Sequence, residues 1–113
     1  TADLDKLMAN YWFTELPWEN PVKYWSHSPL SLVGNVTTPT MLMNGESDWR
    51  TPIWEAEQYF NALQIQGVET ALLRVPGAGH WIEYRPSQLI AKVNAVLAWF
   101  KRFSDVPTLA GEE

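Results

Sequence analysis

The fold is decided by a stretch in which an apolar strand leads into a polar loop and then a helix: Thr38-Pro39-Thr40-Met41-Leu42-Met43-Asn44-Gly45-Glu46-Ser47-Asp48-Trp49-Arg50-Thr51-Pro52. The apolar residues before Gly45 predict a strand that is buried on both faces, as in a parallel sheet. Beyond the loop, Pro52 predicts the start of a helix, with Thr51 as its N-cap. Enzymes of the α/β class place catalytic and binding groups in loops at the carboxyl ends of such strands. Asp48, in this loop, is therefore the first candidate for a functional residue.

A second strand and loop follow: Thr70-Ala71-Leu72-Leu73-Arg74-Val75-Pro76-Gly77-Ala78-Gly79-His80. Between the two strands, a helical stripe of apolar residues ends at Gly67. An α/β hydrolase supplies the last two members of its Ser-Asp-His triad in the same order of elements. A strand and a loop with Asp come first, a helix follows, and then come a second strand, a loop with His and a further helix. From spacing alone, simpler roles remain open: Asp48 could cap its loop beside Arg50, and His80 could be a polar turn residue.

Further helices are predicted on both sides of the strands. Residues 3–13 have the spacing of a short amphipathic helix, and Asn20-Pro21 predicts the start of a second short helix. The last helix is predicted from about Pro86 to Arg102 and should lie across the sheet through an apolar stripe formed by Leu89, Ile90, Val93, Val96, Leu97 and Phe100. The expected fold class is α/β, corresponding to the carboxyl-terminal portion of an α/β hydrolase, with its last two parallel strands and flanking helices. Residues 104–113 are expected to form a flexible tail.

Composition narrows the function classes. The 113 residues carry a net charge of −5 with scattered Lys and Arg, so no nucleic-acid partner is expected. The absence of cysteine from the sequence excludes disulfides, thiolate metal sites and a cysteine nucleophile. No apolar run approaches the ~20 residues of a membrane span, so no membrane partner is expected either. A metal site built from His27, His80 and Glu83 lacks any standard ligand spacing, and neither a metal nor a cofactor is predicted. Glu46 and Arg50 are expected to pair across the loop.

Residues 1–103 contain a series of short motifs: Tyr11-Trp12-Phe13, Leu16-Pro17-Trp18-Glu19-Asn20-Pro21, Ser28-Pro29-Leu30, Thr38-Pro39-Thr40, Gly45-Glu46-Ser47-Asp48-Trp49-Arg50-Thr51-Pro52, Pro76-Gly77-Ala78-Gly79-His80 and Arg85-Pro86-Ser87. Together they resemble the carboxyl end of a serine peptidase of the prolyl oligopeptidase (S9) family, most similar to its acylaminoacyl-peptidase and dipeptidyl-peptidase-like branch.

The resemblance implies a catalytic aspartate at Asp48 and a catalytic histidine at His80. The family's nucleophilic serine lies on an upstream Gly-x-Ser-x-Gly elbow, and no such pentapeptide occurs in this sequence. The nucleophile and its oxyanion hole are therefore expected outside this chain, which should be inactive alone. One departure from the family is Trp81, which follows the histidine where a small residue is common.

The resemblance also implies a peptide substrate and no cofactor. The expected partner is the remaining part of the catalytic domain, with self-association as another possibility. The compartment stays open between periplasmic or secreted and cytoplasmic. Two alternatives remain: an esterase or lipase of the same fold, because fold and triad do not choose between amide and ester, and a non-catalytic association module.

Overall fold

The computed structural model describes residues 9–104, and a pair of parallel strands lies at its centre. Strand β1 spans Thr40–Gly45 and β2 spans Thr70–Val75, paired so that Thr40 lies opposite Thr70 and Gly45 opposite Val75. Because parallel strands point the same way, the loops that follow them leave from the same edge of the sheet. The predicted α/β class is confirmed.

Within residues 9–104, three α-helices and three shorter helical segments surround the strands: α1 (Pro21–Ser26), α2 (Ile53–Ile65), α3 (Pro86–Phe103), a π-helical turn (Ala9–Phe13) and 3-10 segments at Pro29–Asn35 and Ile82–Tyr84. Asn20 caps α1 as predicted, since its side chain accepts a hydrogen bond from the backbone N–H of Lys23 at 3.2 Å. Gly67 follows α2 with a φ of 75°, a left-handed conformation that suits glycine. Within residues 9–104, no helix has the length and apolar character needed to cross a membrane.

Two predictions fall partly or wholly on residues that the structure does not describe. Of the helix predicted at residues 3–13, only residues 9–13 are described, and they form a π-helical turn. The tail predicted at residues 104–113 lies outside the described residues from position 105 onward.

The start of α2 differs from the sequence-based prediction. Pro52 occupies the N-cap position and no side chain caps the helix. The hydroxyl of Thr51, which was predicted to cap it, instead donates a hydrogen bond to the carboxylate of Asp48 at 2.7 Å. Thr51 therefore belongs to the loop before the helix.

The apolar stripe of α3 covers the sheet less than predicted. Lys92, Val96 and Trp99 line one wall of a cleft of about 470 Å³, and residues of β1 line the other. Most of the predicted stripe stays exposed, including Ile90 at 60%, Leu97 at 63% and Phe100 at 68%. The reason is geometric, since two strands offer too narrow a surface to cover a helix of this length.

The core is small and lies beneath the two loops. Val75, Ala78 and Ile82 form a buried cluster, and Met43 and Leu73 pack against it. In β1 itself, residues 40–43 are only half-buried, so the predicted burial on both faces is not reached with one partner strand. This buried cluster therefore lies at the carboxyl edge of the sheet, beneath the loops that follow the strands.

Candidate active site

Two loops meet at the carboxyl edge of the sheet because their backbones are hydrogen-bonded to each other. The N–H of Glu46 donates to the carbonyl of Val75 at 3.1 Å, and the N–H of Ser47 donates to that of Ala78 at 2.9 Å. Gly45 allows this approach, because a β-carbon there would lie 2.6 Å from the carbonyl oxygen of Gly79. The loop after β1 is thereby held in register with the loop after β2.

Asp48 is buried and its carboxylate accepts hydrogen bonds on both oxygens. Oδ1 accepts from the backbone N–H groups of Arg50 and Thr51, each at 2.9 Å. Oδ2 accepts from the hydroxyl of Thr51 and lies 3.0 Å from Nδ1 of His80. The carboxylate thus caps its own loop, as the simpler interpretation predicted, and also contacts the histidine of the neighbouring loop.

The charge of Asp48 follows from these contacts. Burial raises the pKa of Asp48, but hydrogen bonds from the N–H and hydroxyl of Thr51, from His80 and from the N–H of Arg50 outweigh burial, so the pKa lies below its ordinary value of 3.8. Asp48 is therefore ionised near neutral pH and can only accept hydrogen bonds. Consequently Nδ1 of His80 is the donor, and in the neutral ring Nε2 carries the lone pair.

His80 lies at the surface of the protein. Its side chain is 42% exposed, and within residues 9–104 Nε2 has no hydrogen-bond partner. Trp81 meets the imidazole edge-on, with ring centroids 5.7 Å apart. The ring borders a cleft of about 200 Å³ that is also lined by Gly77, Gly79, Trp81, Tyr84, Arg85 and Gln88. An imidazole held this way can take up and release a proton at Nε2.

Two buried amide side chains that were not predicted from the sequence, Asn44 and Gln88, support the loops. The Nδ2 of Asn44 donates to the carbonyls of Gly45 at 3.0 Å and Thr51 at 3.1 Å, so it ties the two ends of the Asp48 loop together. The Nε2 of Gln88, at the start of α3, donates to the carbonyl of Pro76 at 3.3 Å and steadies the turn that leads to His80. The sequence signal for Asn44 was its position as a polar residue near the end of an otherwise apolar strand.

The ion pair formed by Glu46 differs from the one predicted. Glu46 does not pair with Arg50; its partner is Arg74, at 3.1 Å, which also forms an ion pair with Glu57. The prediction was wrong because pairing depends on the neighbouring strand, and Arg74 lies on β2 beside the loop. Arg50 reaches Asp48 through its backbone N–H.

The second histidine lies apart from this site. The Nδ1 of His27 is 2.8 Å from the carbonyl oxygen of Lys23, and its ring meets Phe13 edge-on. Within residues 9–104, no three His, Asp or Glu side chains converge into a group that could hold a metal ion.

Comparison with solved structures defines the class as α/β hydrolase. The crystal structure of puromycin hydrolase matches with a TM-score of 0.67 and 26% identity, covering 82% of this chain and 15% of that chain. Acylaminoacyl peptidase from Pyrococcus horikoshii matches with a TM-score of 0.69 and 25% identity, covering 80% of this chain and 16% of that one.

The sequence profile of the prolyl oligopeptidase family matches residues 1–106, and the chain belongs to that family. The uncharacterized peptidase YuxL of Bacillus subtilis is 40% identical over 97 residues, which cover 80% of this chain and 15% of that protein. The acylamino-acid-releasing enzyme of Arabidopsis thaliana is 33% identical over 92 residues, which cover 80% of this chain and 12% of that protein. Dipeptidyl-peptidase 5 of Aspergillus oryzae is 30% identical over 91 residues, which cover 79% of this chain and 12% of that protein.

These comparisons confirm the predicted family. The chain spans about 15% of the length of the Bacillus subtilis relative. The catalytic roles of Asp48 and His80 stay predictions.

Proposed function

We propose that this chain supplies the aspartate and histidine of the Ser-Asp-His triad of a serine peptidase, in which the nucleophilic serine lies outside these residues. In this proposal Nε2 of His80 takes the proton from the serine hydroxyl as it attacks a peptide carbonyl, and returns it to the leaving amine. Asp48 fixes the tautomer of the imidazole and stabilises the imidazolium that forms.

One observation carries the proposal: the ionised carboxylate of Asp48 faces Nδ1 of His80 at 3.0 Å, while the His80 side chain is 42% exposed and its Nε2 has no partner within the described residues. The two residues follow adjacent parallel strands. A carboxylate and an imidazole in this orientation are two of the three parts of a triad, and the free nitrogen points away from the carboxylate, where a serine would act.

The missing serine determines what the chain can do by itself. Loss of the nucleophile alone lowers turnover on the order of 10⁶-fold in a well-studied triad enzyme. The backbone donors of an oxyanion hole next to that serine would be absent as well. We therefore expect this chain alone to be catalytically inactive and its partner to be the rest of the catalytic domain.

Membership of the family and the names of the relatives support a peptide substrate. The relatives include an acylamino-acid-releasing enzyme and dipeptidyl-peptidases. The proposed activity of the parent peptidase is accordingly the cleavage of short peptides, with release of dipeptides or acylated residues from their amino termini. None of these steps needs a cofactor.

The test uses the intact parent peptidase and a fluorophosphonate probe, which reacts only with an activated serine. We expect labelling of the wild type and its loss in Asp48→Asn and His80→Ala. His27→Ala is the matched control, because it removes the other histidine of this chain at a position away from the site, and it should label normally. Full labelling of His80→Ala would refute the proposal.

Substrate assays separate the proposal from its two alternatives. Dipeptidyl and N-acyl-aminoacyl anilides test amide hydrolysis, and p-nitrophenyl esters of fatty acids test ester hydrolysis. Turnover of the esters alone would identify an esterase or lipase of the same fold. Absence of both labelling and turnover in the folded parent protein would identify a non-catalytic association module.

A further inference from the structure

We infer that Thr51 is a positioning residue of the Asp48–His80 pair, and that its hydroxyl limits the strength of the hydrogen bond between them. The inference rests on the proposed function, because it concerns how the pair would perform in catalysis. Thr51 is a positioning residue rather than a catalytic one, because its hydroxyl lies beside Asp48 and Nδ1 of His80 and not beside Nε2, the nitrogen that would transfer the proton.

The geometry of one oxygen atom carries the inference. Oδ2 of Asp48 accepts a hydrogen bond from the Thr51 hydroxyl at 2.7 Å and one from Nδ1 of His80 at 3.0 Å. The hydroxyl oxygen is also 3.4 Å from that same Nδ1. Two donors therefore share one carboxylate oxygen, and the hydroxyl is the closer of the two.

Sharing an acceptor has a predictable electrostatic effect. A hydroxyl that donates to a carboxylate stabilises its negative charge and lowers its affinity for another proton or donor. With the Thr51 hydroxyl in place, Asp48 attracts an imidazolium at His80 less strongly than it would alone. Without it, Oδ2 would accept the hydrogen bond from Nδ1–H of His80 more strongly.

The backbone of Thr51 is fixed beside the carboxylate of Asp48. Its backbone N–H donates to Oδ1 of Asp48 at 2.9 Å, and its carbonyl accepts from the buried side chain of Asn44 at 3.1 Å. Both backbone polar groups of Thr51 are thus fixed within the loop. The short bond from its hydroxyl to Oδ2 then requires only a single χ1 rotation.

No other titratable group in the described part of the chain forms a hydrogen bond with the oxygen that His80 uses. Tyr84 and Arg85 line the cleft beside His80. Glu46, two residues before Asp48, is paired with Arg74 on β2. Arg50 contributes its backbone N–H to Oδ1, the oxygen that does not face His80. In the described part of the chain, the hydroxyl of Thr51 is the uncharged donor on the oxygen that His80 uses.

The test compares Thr51→Val, Thr51→Ser and the wild type in the intact parent peptidase. Valine keeps the shape of threonine and removes the hydroxyl, whereas serine keeps the hydroxyl and removes the methyl group. The readout is the acidic limb of the pH profile of kcat/KM, which reports protonation of the free enzyme's catalytic base. We expect the limb of Thr51→Val to move to higher pH by about half a unit, the scale of one hydrogen bond. The limb of Thr51→Ser should stay in place.

A purely structural role would give a different pattern. It would lower kcat/KM across the profile without moving the limb of Thr51→Val, and that result would overturn the inference. If Thr51→Val does not accumulate as folded protein, Thr51→Ala removes the same hydroxyl and is judged by the same criterion.

Failure of the inference is distinguishable from failure of the proposed function. If Asp48→Asn and His80→Ala abolish fluorophosphonate labelling while the limb of Thr51→Val is unchanged, only the role of Thr51 is wrong. If those two variants label normally, the triad itself is wrong and the inference is overturned together with it.

Discussion

The backbone of Gly45 passes so close to that of Ala78 that a β-carbon at position 45 would overlap the carbonyl oxygen of Ala78. Gly45 ends β1, and Ala78 lies in the turn after β2. This contact sets the separation between the loop that carries Asp48 and the loop that carries His80. A position without any catalytic chemistry thereby determines whether the two side chains can meet.

Gly45→Ala should destabilise the protein and separate the two loops. The added methyl group meets backbone atoms, which cannot rotate aside as a side chain can, and overpacking of this kind costs about 1–3 kcal/mol. Urea denaturation measures the free energy of unfolding, and labelling of the parent peptidase measures the site. Gly34→Ala is the matched control, because a β-carbon at Gly34 meets nothing within 4 Å. Equal stability of the two variants would contradict the proposed contact.

Asn44→Ala should loosen the Asp48 loop by removing a buried hydrogen-bonding side chain. The carbonyls of Gly45 and Thr51 would each lose a donor, and a buried polar group left without a partner costs about 1–3 kcal/mol. Hydrogen exchange of the amides in residues 46–51 is the measurement, and faster exchange is the expected result. Asn94→Ala, at an exposed position on α3, is the control and should leave these amides unchanged. Unchanged protection in Asn44→Ala would show that the loop holds without it.

The features that the sequence predicted correctly have local signals. Pro21 and Gly67 mark helix boundaries through their own backbone preferences, and the apolar runs identify both strands. Asp48 and His80 could be expected close together because the carboxyl ends of parallel strands share an edge. The order of the elements along the chain and the residues that mark helix boundaries were enough for these conclusions.

The features that the sequence did not predict depend on the three-dimensional arrangement. Arg50 is the near neighbour of Glu46 along the chain, yet Arg74 is the neighbour across the sheet and forms the pair. Thr51 looks like a helix cap in sequence, but Asp48 supplies a stronger, charged acceptor for its hydroxyl. Both cases are competitions between partners, and sequence patterns do not rank partners that meet only after folding.

The stability of the protein should depend on the ionisation of Asp48 in acid. The pKa of Asp48 is lowered in the folded state relative to 3.8, so its contribution to stability is complete above the unfolded pKa and is lost as pH falls through the lower folded pKa. The free energy of unfolding of the wild type should therefore fall more steeply below about pH 4 than that of Asp48→Asn.

Urea denaturation at a series of pH values gives the slope of the unfolding free energy against pH for the wild type and for Asp48→Asn. Glu55→Gln is the control, because Glu55 is exposed on α2 and takes part in no ion pair or side-chain hydrogen bond within residues 9–104. Its slope should match that of the wild type. Equal slopes for the wild type and Asp48→Asn would mean that the hydrogen bonds donated to the Asp48 carboxylate do not stabilise the folded state.

The exposed apolar face of α3 should make the isolated chain self-associate. Leu97 is 63% exposed and Phe100 68%, and they lie on one helical face together with Ile90. Burying a side chain of this size is favourable by about 1.5–3 kcal/mol, so the double substitution Leu97→Gln, Phe100→Gln should weaken self-association at least about tenfold. Sedimentation velocity over a range of concentrations is the measurement. Ala98→Gln, also exposed on α3 but small, is the control and should associate like the wild type. A wild-type chain that remains monomeric at high concentration would show that this face does not mediate self-association, and would leave contact with the rest of the catalytic domain as its proposed role.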